Sequence, residues 1–327
     1  MRRGIAAILL VLVSACAAQL YPRGPDAVTP VIEADHWRAA DGAGLPLRSW
    51  LPPGAPKAVV LALHGMNDYS NAFDSPGRAL AAKGIATYAY DQRGFGAGPH
   101  PGFWSSTATM AADLRAAAAL LHDRYPEVPL YVLGESMGGA VAIVATAGHP
   151  PPAIAGLILS APAVWGRSTM GFLQHAALWL AYRVAPGWTL TGRGLNIQPS
   201  DNIEMLRALS RDPLVVKATR VDAIHGLVDL MEEAQLATGR LELPLLVLYG
   251  EKDEIIPPVP TWAAIRRLPD LDGTQRAALY ANGWHMLLRD LQAQVVVDDI
   301  AAWIAAPAAP LPSGADATAD RKLAEIR

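Results

Sequence analysis

The junction around Ser136 constrains this chain most. The apolar run Leu130–Leu133 leads directly into Gly134-Glu135-Ser136-Met137-Gly138-Gly139, and a helix-forming stretch, Met137–Gly148, begins inside that turn. A strand that reverses so sharply into a helix holds the serine in a strained backbone conformation. Gly134 and Gly138 let neighbouring chain approach where a Cβ would clash. The turn lifts the Ser136 hydroxyl clear of the strand. The helix start aims backbone N–H groups and the positive end of its dipole at negative charge developing there. In this strand–turn–helix setting, Gly-x-Ser-x-Gly is the signature of a nucleophilic serine.

The rest of the chain supplies a sheet to carry that turn. Ala58–Leu63, Ile85–Tyr90, Gly156–Leu159, Leu243–Tyr249 and Arg276–Tyr280 are short apolar runs bounded by turn residues, as expected of parallel strands buried on both faces. Ala72–Lys83 and Ser105–Tyr125 have helical apolar spacing. The alternation predicts an α/β fold over residues 31–304: a mostly parallel, doubly wound sheet, preceded by a hairpin with strands Ala34–Arg38 and Leu45–Leu51. Residues 163–240 break the alternation and read as a helical cap inserted between two strands, over the C-terminal edge of the sheet. Residues 305–327, Ala/Pro-rich and then charged, are expected to be a disordered tail or a loosely attached helix.

Composition excludes several classes. Hydrophobic residues make up 52% and charged residues 17%, too apolar for a disordered chain. Lys and Arg total 27 against 30 Asp and Glu, so no basic excess points to a nucleic-acid partner. With one cysteine, no His-x-x-x-His and no Gly-x-Gly-x-x-Gly opening a helix, the sequence implies neither metal nor cofactor.

A serine hydroxyl needs a base, and in this fold the partners follow in the order serine, acid, histidine. The run Leu243–Tyr249 ends in Gly250-Glu251-Lys252-Asp253, which makes Asp253 the candidate acid, with Glu251 and Glu254 as rivals. His285 is the only histidine after it and is the candidate base. The backbone N–H of Met137 is one expected donor to the oxyanion, and that of Met66, in His64-Gly65-Met66, is the other. His64 itself is expected to brace that loop.

The N-terminus reads as an export signal. Two arginines precede the apolar stretch Ile5–Val13 and then Ser14-Ala15-Cys16. Val13-Ser14-Ala15-Cys16 resembles the bacterial lipobox. That resemblance implies removal of residues 1–15, lipidation of Cys16, a tether over residues 16–30 and membrane attachment at the cell envelope. Ala17, where Asp would signal inner-membrane retention, favours the outer membrane.

Taken together, His64-Gly65-Met66, Asp91-Gln92-Arg93-Gly94-Phe95-Gly96, Gly134-Glu135-Ser136-Met137-Gly138-Gly139, Asp253 and Gly283-Trp284-His285-Met286-Leu287 resemble the monoacylglycerol lipase/lysophospholipase-like branch of the α/β-hydrolases, the serine aminopeptidase group. The resemblance spans about residues 33–302 and departs from the usual pattern at Arg289-Asp290, where relatives often carry Glu. It implies a serine carboxylester hydrolase acting on single-chain lipid esters such as monoacylglycerols or lysophospholipids. A small-ester esterase, a thioesterase or an aminopeptidase on the same triad remains open, as does a non-catalytic lipid- or partner-binding lipoprotein. In the cap, Phe172, Trp179 and Leu180 belong to a stretch, Phe172–Val184, with two readings: a greasy lid that admits an acyl chain, or a helix packed on the core.

Overall fold

In the strands Ala58–Leu63, Ile85–Tyr90, Leu130–Glu135, Gly156–Ser160 and Leu245–Gly250 every residue is buried, because helices cover both faces of the sheet they form. The computed structural model describes residues 17–192, 194–271 and 273–326. The signal segment 1–15 and Cys16 lie outside the described residues.

The elements, in chain order, are β1 (Val31–Ile32), β2 (His36–Arg38), β3 (Gly44–Trp50), β4 (Ala58–Leu63), α1 (Asp74–Ala82), β5 (Ile85–Tyr90), α2 (Thr107–Arg124), β6 (Leu130–Glu135), α3 (Met137–Ala147) and β7 (Gly156–Ser160). Then come α4 (Phe172–Val184), β8 (Thr189–Leu190), α5 (Ile203–Arg211), β9 (Thr219–Arg220) and α6 (Val221–Ala237). The chain closes with β10 (Leu245–Gly250), α7 (Pro258–Ile265), β11 (Gln275–Tyr280), α8 (Ala293–Ala305) and α9 (Ala315–Glu325). Among the described residues nine strands form one sheet in the order β1-β2-β3-β5-β4-β6-β7-β10-β11. From β5 onward in that order all pairings are parallel, and the first three strands run antiparallel as the expected hairpin with a short extra strand. One face packs on α2, α3 and α6 through residues such as Leu114, Val141 and Leu230. The other packs on α1 and α8 through Leu80, Ile300 and Trp303.

Three expectations change. The tail is a packed element: Leu311, Ala315, Ala319 and Leu323 are buried, and α9 lies against β11, covering the last edge of the sheet. Asp316 locks it by accepting from Leu311 N (3.0 Å) and Arg276 Nη1 (3.1 Å). The described part of the tether, residues 17–30, lies along the fold, with Tyr21 N bonded to Trp104 O (2.9 Å) and Val28 N to Ala40 O (2.9 Å). The insertion is not uniform either. Its last helix, α6, is built into the core through Val228, Leu230 and Ala234, whereas α4 has no buried residue, and two short strands, β8 and β9, pair between them.

Candidate active site

Ser136 leaves β6 at φ 52° and ψ −115°, a conformation a non-glycine residue adopts only under constraint. The constraint is contact. A Cβ at Gly138 would stand 2.2 Å from Leu63 O, and one at Gly134 would stand 2.5 Å from Gly139 Cα. The elbow is therefore wedged between β4 and its own helix. Ser136 N bonds to Ser160 O of the neighbouring strand (2.9 Å), and Ala163 N bonds to Ser136 O (3.0 Å). The serine itself remains partly exposed, while Met137 is fully buried.

Asp253 and His285 follow the C-terminal ends of β10 and β11, and their loops are stitched together by Glu251 N to Tyr280 O (3.0 Å) and Lys252 N to Gly283 O (3.0 Å). Asp253 Oδ1 accepts from Ile255 N (2.8 Å) and Ile256 N (3.0 Å). That leaves Oδ2 for His285 Nδ1, at 2.9 Å, with both side chains buried. A proton on Nδ1 in that bond leaves the lone pair on Nε2, the tautomer a general base requires. The rival acids lie elsewhere: Glu251 is exposed, and Glu254 accepts from Gln198 N (2.7 Å) of the cap.

The loop after β4 lies against the elbow, since a Cβ on Gly65 would come 3.9 Å from Ser136 Oγ. His64 holds it: Nδ1 donates to Gly65 O (2.8 Å), Nε2 accepts from Gln92 N (3.0 Å), and Gln92 Nε2 donates to His64 O (2.9 Å). Burial drives the His64 pKa below its ordinary value, which keeps this brace neutral. Among the described residues, neither Met66 N nor Met137 N donates to another protein group. Both N–H groups therefore remain available to an oxyanion.

The sequence offered no role for Arg289 and Asp290. Arg289, its side chain only 9% exposed, reaches Asp68 Oδ2 with Nη1 (2.7 Å) and Glu135 with Nη2 (3.3 Å). One guanidinium thus ties the oxyanion loop, the residue before the nucleophile and the segment after His285. Burial works against its charge, but Glu135 and Asp68 outweigh burial and raise its pKa. Asp290 accepts from Ser200 Oγ (2.6 Å) and Trp284 N (2.8 Å), joining the cap to the histidine loop. Burial raises its pKa to about 6. A cavity of about 300 Å³ lies between α5 and the oxyanion loop, bordered by Tyr69, Met205, Leu209, Arg289 and Asp290. The only sequence signal for this network was the departure from the family pattern at Arg289-Asp290.

The cap residues face outward: Phe172 is 83% exposed, and Trp179 and Leu180 are also exposed. The helix is held from beneath, by Leu178 against the core and by Tyr182 stacked on His225 at 3.8 Å.

A monoglyceride lipase of Rattus norvegicus is 28% identical over 289 residues, covering 86% of this chain and 94% of the relative. A monoacylglycerol lipase of Mycolicibacterium smegmatis is 27% identical over 267 residues, covering 78% of this chain and 90% of the relative. Among solved structures, a soluble variant of monoglyceride lipase from Saccharomyces cerevisiae, in complex with a substrate analog, superposes with a TM-score of 0.71 at 21% identity, covering 89% of this chain and 100% of that one. That likeness establishes the shared α/β-hydrolase fold. Residues 54–292 match the family described as serine aminopeptidase, S33, and with most of its length so matched the chain belongs to that family.

Proposed function

We propose that this protein is a serine carboxylester hydrolase that cleaves single-chain lipid esters, monoacylglycerols foremost and lysophospholipids as the related class. The observation that carries the reading is the buried Asp253–His285 pair at the C-terminal sheet edge, where Ser136 is held in its strained turn. His285 Nε2 takes the proton of Ser136 Oγ as the oxygen attacks the ester carbonyl, and the carbonyl oxygen becomes an oxyanion facing Met66 N–H and Met137 N–H. Collapse expels the alcohol, which receives the proton from His285 and leaves an acyl-serine. Water then repeats the sequence, with its proton passing through His285, and releases the fatty acid and free serine. Asp253 holds the imidazole in its working tautomer and stabilises the imidazolium.

Two observations favour a lipid ester. The relatives named above are monoacylglycerol and monoglyceride lipases. The cap presents Phe172, Trp179 and Leu180 outward, suited to meeting an acyl chain at a lipid surface. An aminopeptidase would need a free carboxylate for the substrate's ammonium, whereas the carboxylates of the elbow and oxyanion loop, Glu135 and Asp68, are both committed to Arg289. The lipobox-like Val13–Cys16 supports anchoring through a lipidated Cys16 at the bacterial envelope, on the outer membrane.

The test is acid release by residues 19–327 across long-chain monoacylglycerols, lysophospholipids and short esters, with Ser136→Ala as control. The expected result is release that peaks on long-chain monoesters and falls by about 10⁴-fold or more in Ser136→Ala. Serine-dependent turnover of short esters alone would remove the lipid substrate while leaving the triad. Absence of serine-dependent turnover would leave a binding protein. Metabolic labelling with a tritiated fatty acid, present in the wild type and lost in Cys16→Ser, checks the anchor.

A further inference from the structure

The segment that leads out of the fold toward Cys16 is strapped to the foot of the cap. Gln19 N donates to Asp222 Oδ2 (3.2 Å), in the first turn of α6. Leu20 pairs with Trp104, and Tyr21 stacks on His100 at 3.9 Å and meets Phe103 edge-on. Arg23 N donates to Thr109 Oγ1 (3.1 Å) and Gly24 N to Asp41 Oδ2 (3.0 Å). From the cap side, Arg220 grips Asp222 with two hydrogen bonds (2.9 and 2.6 Å) while its guanidinium lies 4.5 Å over the Phe103 ring. The same point holds the chain that leaves α4: Asp222 N bonds to Pro186 O and Val221 N to Trp188 O. The strap therefore ends beside Trp188, which is 71% exposed, and the exposed Leu190, with Leu20 exposed on the strap itself.

We propose that residues 19–24 are an orienting strap that seats the membrane attachment at the cap's foot, so that Leu20, Trp188 and Leu190 rest on the same lipid leaflet that holds the N-terminus. This rests on the anchoring of Cys16 proposed above. Reach decides it. Only Ala17 and Ala18 separate Cys16 from Gln19, and an extended chain covers about 10 Å over those three residue steps. A lipid on Cys16 thus brings the leaflet to within about 10 Å of Gln19, which is bonded to Asp222 at the cap's foot where the exposed apolar side chains stand. The outward face of α4, with Val184 and Leu180, continues from this rim. The strap does not take part in the chemistry; it sets which side of the molecule meets the lipid.

The test uses the full-length lipidated protein reconstituted in vesicles of phosphatidylethanolamine and phosphatidylglycerol. Leu190→Cys carries an environment-sensitive fluorophore; the Cys16 thiol, blocked by its lipid, does not react. With the strap intact, the expected emission is blue-shifted and quenched by spin-labelled lipids. Gln19→Pro with Tyr21→Ala, or an insertion of about six Gly/Ser residues between Ala17 and Ala18 that leaves the strap packed but lengthens its reach, should return the emission toward its value in water. Hydrolysis of vesicle-borne monoester should then fall about tenfold as the cap is no longer held facing the leaflet, while turnover of a soluble short ester changes less than about twofold. Unchanged emission and quenching in both variants, with the protein still on the vesicles, would overturn the strap. Failure of the wild type to stay on vesicles would sink the anchor and the strap together. Absence of turnover on any ester would sink the hydrolase reading alone, since the fluorescence still decides orientation.

Discussion

Two apolar helices of similar length meet opposite fates. In α3 (Met137–Ala147) ten of the eleven residues are buried, and in α4 (Phe172–Val184) none is. Their sequences differ in side-chain size, and α4 alone carries Gln174, His175 and Arg183. The glycines and alanines of α3 let it sink between the sheet and its neighbours, where the backbone of Leu63 comes within a side chain's radius of Gly138. Phe172, Leu173, Trp179 and Leu180 of α4 have no matching groove and stand on the cap. Apolar content states how much surface seeks cover; topology and residue size decide whether the protein or a lipid surface supplies it.

That contrast predicts a ranking of costs. Gly138→Ala forces a Cβ against the Leu63 carbonyl, and because backbone cannot yield, we expect a loss of about 4 kcal/mol or more, seen as failure to recover folded protein. A variant that melts within a few degrees of wild type would break the distinction between the two helices. Arg289→Gln strands Asp68 and Glu135 as uncompensated buried charges and should cost about 3–5 kcal/mol in denaturant unfolding. Arg289→Lys should restore only part of it, because one ammonium cannot span both carboxylates as the fork does.

Asp290 sharpens the comparison through pH. Its carboxyl titrates at about 6 in the fold against 3.8 without it. Between those values the folded state holds the extra proton, so this group's contribution to stability is present at low pH and lost as pH rises through that window. Melting temperature followed against pH should fall on that limb in the wild type, and Asp290→Asn should flatten it, by about 1 kcal/mol after solvent screening. Smallest of all, Leu173→Ser should leave stability within about 0.5 kcal/mol, since that side chain is already mostly in water. A larger loss would mean that the outward face of α4 is covered after all.

The strands of the body were legible because burial on both faces leaves unbroken apolar runs. Ala58–Leu63 and Ile85–Tyr90 coincide with their expected spans, and α3 ends within one residue of its own. The elbow was legible because its geometry demands glycine. The tail carried a readable signal that its Ala/Pro composition masked: Ala315, Ala319 and Leu323 recur every four residues along α9, which packs on β11. Arg289 stood out only as part of a departure from the family pattern, and a lone arginine in sequence does not disclose which carboxylates will surround it.

By itself, then, the sequence determined the local parts: which runs form strands, where a turn must be glycine-lined, and which serine, aspartate and histidine stand at strand ends in the required order. Each follows from short-range sterics and periodicity, which neighbours along the chain already specify. Only the tertiary structure decided that Asp253 rather than Glu254 meets His285, that Arg289 joins three loops, that α6 belongs to the core while α4 faces out, and that the N-terminal segment ends at the cap. Those outcomes depend on groups far apart in sequence sharing one buried volume, where charge needs a partner and apolar surface a cover.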